Sequence, residues 1–209
     1  MRKLSASLST IGTRWYETCS TFQRAPDLTP VFDIVLATQE SRKRKYQGFA
    51  DASLVPGKNG AKARMGIGGH VNEGDRVIFK FSLGRNVPNG VSSTLAEHLA
   101  GLLLAKVINW LEIQDVCALA DNNAIPNQVT GLWSTNTWPF VLVRQETQAL
   151  LSNVDHAYLW LSRVYNTYAD QLAKEGAQGL TTPHSPELEA EFNTVLQRVT
   201  EYIENGGVV

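Results

Sequence analysis

The 209-residue sequence predicts an α/β domain with a central mixed five-stranded sheet, flanked by helices and followed by an extra C-terminal helix. Three observations predict it. Residues 46–84 hold three short apolar or alternating runs separated by turn residues, the pattern of an antiparallel meander. At Ser92 the apolar period lengthens from two to that of a helix. Thereafter strand-like and helix-like stretches alternate, which is how a sheet is covered by helices.

The elements follow in order. Residues 46–50 form a short apolar run that ends on Asp51, and "SLVPGKNG" supplies a loop. In "KARMGIGGHVN" (residues 62–72) Met65, Ile67 and Val71 are spaced by glycines, which leave the backbone bare. "NEGD" at Asn72–Asp75 makes the next turn. "RVIFKFSLG" then alternates, with Val77, Phe79 and Phe81 on one face and Arg76, Ile78, Lys80 and Ser82 on the other. From Ser92 to Leu111 a long helix is expected, with Ser92 or Ser93 as its cap and Leu95, Leu99, Leu102, Leu103, Lys106 and Trp110 on or near one stripe. Val116–Asp121 reads as a fourth strand ending in an aspartate. "NTWPFVLVRQETQALLSN" is helical, "DHAYLWL" is a fifth strand, and "NTYADQLAKEGA" is a further helix. Residues 185–207 close as a helix with Ser185 as cap, glutamates in its first turns and glycine at its end.

Composition narrows the function. Apolar content is 43% and the formal net charge is −1, which argues against a general polyanion coat. Cys19 and Cys117 make no disulfide framework, and no Cys/His spacing suits zinc. No apolar run approaches a membrane span, and an intracellular protein is expected. Residues 1–24 are basic before Glu17 and place Leu4, Leu8, Ile11 and Trp15 on one helical face. Two readings stand there: a transit peptide, which makes the destination mitochondrial, or a packing helix in a cytoplasmic or nuclear protein. "PDLTP" at residues 26–30 reads as a linker. Arg42–Lys45 is a run of four cations, either a phosphate contact or a solvated edge. The division expected is an N-terminal extension at 1–45, a catalytic domain at 46–176 and a C-terminal helical extension at 177–209.

Four acids stand out by position: Asp51 and Asp121 at strand ends, Glu97 early in the long helix, and Asp170 opening the last core helix. Brought together they would repel one another unless a cation neutralised them, and hard oxygen ligands select Mg²⁺ or Mn²⁺ over zinc. A pair of such ions suits phosphoryl transfer. Bare glycine and serine backbone beside Asp51 would let a polyanionic strand approach closely.

Local wording strengthens this. The chain resembles the type I ribonucleases H, and in wording the plant, archaeal and reverse-transcriptase-associated branches more than the long-studied bacterial enzyme. Asp51-Ala52-Ser53 matches that family's opening "D-G/A-S", and "GIGGHV" echoes its glycine-rich second strand. "SSTLAE" stands where the family has "T-N-N-x-A-E", with Ala96 and Glu97 in place. Asp121-Asn122 matches the end of its fourth strand. "WLSRVYNTYADQLA" (Trp160 to Ala173) matches "W-V-P-R-x-x-N-x-x-A-D-x-L-A", the most specific of the five, and the likeness covers roughly residues 45–176.

The resemblance implies a ribonuclease H-like fold in which Asp51, Glu97, Asp121 and Asp170 bind two Mg²⁺ or Mn²⁺ ions. It implies hydrolysis of the RNA strand of an RNA–DNA hybrid, leaving a 5′-phosphate and a 3′-hydroxyl. Ser53, Ser93 and Thr94 fall at positions expected to face the hybrid near its 2′-hydroxyls; Asn122 and Asn166 are expected among the nucleic-acid contacts, with Asn166 also orienting the site. Ser93 and Thr94 replace the family's paired asparagines, Ser162 replaces a proline, and no histidine lies between His156 and Asp170. These departures leave room for an altered hybrid, a retroelement intermediate or a structured RNA as substrate. A scaffold module without catalysis is the alternative from another class, although such modules usually lose one of the acids. Trp110, Trp138, Trp160 and Tyr165 are expected in the core, with Trp133 held apart as a possible nucleic-acid contact.

Overall fold

A computed structural model describes residues 39–58, 60–180 and 186–207. The expected transit or packing helix, the proline linker and the Ser185 cap lie outside the described residues. The sheet has five strands in the order β3-β2-β1-β4-β5. Strands β1 (Tyr46–Val55), β2 (Ala63–Glu73) and β3 (Arg76–Val87) form the antiparallel meander. Strands β4 (Asp115–Ala120) and β5 (Asp155–Trp160) add in parallel, β4 against β1 and β5 against β4. The helices are α1 (Ser93–Trp110), α2 (Ala124–Val129), α3 (Phe140–Leu151), α4 (Thr167–Ala177) and α5 (Pro186–Glu204). Among the described residues no helix is long and apolar enough to cross a membrane.

Ser92 starts α1 by accepting a hydrogen bond from the Leu95 amide at 3.2 Å. The helix is buried on more than one stripe, because α1 packs on the sheet and also against α3 and α5. Leu95, Leu99, Leu102 and Ile108 are fully covered, and even Lys106 is buried, its Nζ 3.2 Å from Glu191 Oε2. Helix α5 adds Phe192, Val195, Leu196 and Val199 to the same core. Arg85 on β3 ties α5 further, through Asn193 at 3.0 Å and an ion pair with Glu189.

The opposite face of the sheet carries α4, and the glycines of β2 explain how closely it lies. A Cβ on Gly66 or Gly68 would overlap the backbone of Ala173, and one on Gly84 of β3 would overlap that of Gly176. The bare backbone at Gly66 and Gly68, part of the surface expected to receive a nucleic acid, is therefore covered by α4. Ser82, expected on a polar face, is fully buried there, and its hydroxyl donates to the Leu172 carbonyl oxygen at 2.8 Å. Arg64 Nε donates to the Ala177 carbonyl oxygen at 2.7 Å and secures the end of α4. Gly68→Ala is expected to cost about 1–3 kcal/mol, because helix backbone and not a yielding side chain must move. A urea titration against the parent chain measures that cost.

Other expectations change as well. Asp51 does not end its strand: β1 runs on to Val55, paired with β2 alone. Alternation in β3 breaks at a bulge, where Val71 pairs with Phe79 but Asn72 with Val77, and Val77 is left 43% exposed. Trp110 and Tyr165 are exposed rather than in the core, as is Trp133, whereas Trp138 packs against Tyr202 at 4.4 Å. Within the basic run, Arg44 is bound to Asp155 at 2.6 Å and to Asp115 at 3.2 Å. Both partners sit at the starts of β4 and β5, so this cation joins strands at the far end of the sheet from Asp51.

Candidate metal centre

Pairing between β1 and β4 stops at Phe49 and Leu119, and β4 itself ends at Ala120. Past that fork Asp51 has no neighbour on the β4 side, and Asp121 is the first residue beyond β4. Glu97 reaches the same place from the second turn of α1. One ligand oxygen from each of Asp51, Glu97 and Asp121 lies within 4.8 Å of the others. Asp51 is fully buried: its Oδ1 accepts from the Ala52 amide at 2.8 Å, and its Oδ2 has no donor.

The electrostatics follow from that crowding. Glu97 is pushed up to about 9 by burial, then by the charges of Asp51 and Asp121. Asp51 is pushed up to about 6 by burial and by Asp121. Asp121 is also raised by burial, against the pull of the Arg163 guanidinium. One buried and two half-buried carboxylates that ionise reluctantly, one with an orphaned oxygen, fit a hard divalent cation. Their folded-state values exceed the ordinary 3.8 and 4.5, so protonation stabilises the metal-free fold. That contribution is complete below the ordinary values and is lost as pH rises through about 6 and about 9. Thermal unfolding in a chelator is expected to show a falling midpoint between about pH 5 and pH 9, and Mn²⁺ is expected to restore it.

Asp170 stands outside the group of three. Lys174 Nζ holds its Oδ2 at 2.6 Å, and Arg163 lies 3.6 Å from Asp170 and 3.7 Å from Asp121. Asp170 is nonetheless close enough for its charge to raise Asp51 and Asp121. The close seat of α4 on the glycines of β2 brings it there.

The remaining positions divide. Ser53 is partly buried on β1, two residues beyond Asp51, and Ser93 and Thr94 open α1 with Ser93 exposed. Asn122 Oδ1 accepts from the Ala124 amide at 3.0 Å, so that oxygen serves the start of α2. Asn166 is 1% exposed and donates to the Ala50 carbonyl oxygen at 3.1 Å; it braces β1 beside Asp51 and has no surface for a bound strand. His98 turns away from the acids and meets Phe140 edge-on at 5.1 Å. His156 is partly exposed, its Nδ1 2.8 Å from the Val154 carbonyl oxygen. Two further contacts have no counterpart in the sequence patterns. The indole N–H of Trp160 donates to the Asp121 carbonyl oxygen at 2.8 Å, and Arg163 bridges two acids. Both residues lie inside "WLSRVYNTYADQLA", where the arginine was the available signal.

Solved structures share this arrangement of strands and helices. The ribonuclease H1 of the halophilic archaeon Halobacterium salinarum superposes with a TM-score of 0.56 at 20% identity, over 64% of this chain and 98% of that one. The fold is ribonuclease H-like. The N-terminal ribonuclease H domain of a Mycobacterium tuberculosis protein matches with a TM-score of 0.51 at 21% identity, over 64% of this chain and 95% of that one. A ribonuclease H1 from a compost metagenome, crystallised with an RNA/DNA hybrid, matches with a TM-score of 0.55 at 16% identity, over 65% of this chain and 98% of that one. No family model and no curated protein matches the sequence. In the ribonuclease H-like fold the acids of this chain lie where β1 and β4 part, at one end of the sheet.

Proposed function

We propose that the chain is a divalent-cation-dependent endoribonuclease that hydrolyses the RNA strand of RNA–DNA hybrids, leaving 5′-phosphate and 3′-hydroxyl ends. One observation carries this reading: Asp51, Glu97 and Asp121 converge within 4.8 Å at the fork of a ribonuclease H-like sheet. Likeness to a ribonuclease H1 crystallised with an RNA/DNA hybrid supports the substrate class.

Asp51, Glu97 and Asp121 would hold the cations, with Asp170 joining from α4. When bound, two such cations supply an activated water and stabilise the leaving oxygen. The chain's own residues do the rest. The free Oδ2 of Asp51 is the ready ligand, because its other oxygen is fixed by the Ala52 amide. Glu97 would be a ligand in its carboxylate form, although burial and the charges of Asp51 and Asp121 favour its proton in the metal-free site. Trp160 and Asn166 fix the backbone at Asp121 and beside Asp51, so both carboxylates are positioned in advance. Arg163 sets positive charge beside Asp121 and Asp170, where a phosphodiester would approach.

The test is a panel of labelled RNA–DNA hybrid, duplex RNA, duplex DNA and single strands, each with Mg²⁺ or Mn²⁺. Cleavage confined to the RNA strand of the hybrid is expected. A folded protein that binds hybrid and cuts nothing would instead be a scaffold module.

A further inference from the structure

Tyr158 brings a hydroxyl against the helix that carries Glu97. The residue lies on β5, 3% exposed, opposite Ala118 of β4. Its ring reaches α1 at Gly101, where an added Cβ would stand 2.5 Å from the hydroxyl oxygen and 3.7 Å from Cζ. Glycine is unfavourable inside a helix, and this one makes room for the phenol. Gly101 follows Glu97 by four residues, so the two share a helix face one turn apart.

Among the described residues this hydroxyl is buried with no hydrogen-bond partner. An unpaired buried polar group is costly, and phenylalanine would fill the same space without one. Charge points to the missing partner. Burial pushes the phenol up, and the charge of Glu97 is the one that adds to the effect. The other two acids of the cluster are already held from outside it. Asp51 Oδ1 accepts from the Ala52 amide, and the Asp121 carbonyl oxygen accepts from Trp160, two residues beyond Tyr158 on the same strand. Among the described residues no group outside the cluster donates to Glu97.

We propose that Tyr158 is a positioning residue for Glu97, its hydroxyl donating to one carboxylate oxygen while the other faces the cation site. This rests on the reading of the acids as a metal centre. Glu97 reaches the hydroxyl by turning toward Gly101 about its own side-chain torsions. A carboxylate ligand is kept in orientation by hydrogen bonds to the ligand itself, and loss of such a partner typically weakens metal binding by about 10- to 100-fold.

The experiment titrates Mn²⁺ into the protein without nucleic acid, reading free Mn²⁺ by electron paramagnetic resonance, and follows thermal unfolding in chelator alongside. Tyr158→Phe is expected to bind Mn²⁺ roughly 10- to 100-fold more weakly. Its midpoint in chelator is expected at or above that of the parent, because only an unpaired buried hydroxyl is removed. Glu97→Ala should also bind weakly, and adding Tyr158→Phe to it should change the affinity by less than about twofold. Parent-like Mn²⁺ affinity in Tyr158→Phe, an equal further loss in the Glu97→Ala background, or a lowered midpoint in chelator would overturn the contact. A parent chain that binds Mn²⁺ with this dependence on Tyr158 but cuts no hybrid would overturn the nuclease reading and leave the contact standing. A folded parent chain that binds no Mn²⁺ would overturn the metal centre and the contact with it.

Discussion

Asp51→Asn is expected to slow divalent-cation-dependent hydrolysis of an RNA–DNA hybrid by ~10³-fold or more while leaving a folded protein. The substitution keeps the shape of the side chain and the oxygen that accepts from the Ala52 amide. It removes the charge from the one fully buried acid of the cluster. Ligand charge is what draws a hard cation out of water, and an amide oxygen supplies little of it. The stability of the metal-free protein should move the other way. Taking one charge from a crowded group relieves repulsion and lets Glu97 ionise more readily, a gain of about 1 kcal/mol. Initial rates on a labelled hybrid, with urea unfolding in a chelator, measure both effects. A variant that cuts at the parent rate would remove Asp51 from the site.

Phe192→Ala carries the largest expected effect on stability, about 3–5 kcal/mol. Phe192 is fully buried in the main core, in the company of Val195, Leu196 and Val199 from the same helix. A domain of this kind has roughly 5–15 kcal/mol in total, so one truncation removes a large share. The loss would reach the site as well, because α5 packs against α1 and α1 carries Glu97. Urea unfolding should show a lower midpoint at an unchanged slope. A cost below about 1 kcal/mol would mean that α5 is dispensable to the core.

Much of the architecture was legible because periodicity reports burial directly. The meander, the long helix capped near Ser92, the strand bearing Asp51 and the strand that leads into Asp121 all follow from spacing and turn chemistry. What failed depended on neighbours that a single chain segment does not name. The apolar run stops at Asp51 and predicts a strand end there, yet β2 extends the pairing to Val55 while β4 withdraws. Glycines 66 and 68 announce that something approaches the backbone, but not that the visitor is α4. One bulge residue in β3 was enough to expose Val77. An aromatic at Tyr165 predicts core packing, whereas Asn166 takes the buried position and leaves Tyr165 exposed. In the sequence Arg44 is one of a run of charges, and only the sheet order brings Asp115 and Asp155 to it.

The most direct measurement is a time course on an RNA–DNA hybrid labelled on either strand, comparing the parent chain with Asp121→Asn in Mn²⁺ and in chelator. Cleavage of the RNA strand alone, with 5′-phosphate ends, is expected only with the cation and only in the parent chain. Cleavage that persists in chelator or in Asp121→Asn, or a folded parent chain that never cuts the hybrid, would contradict it.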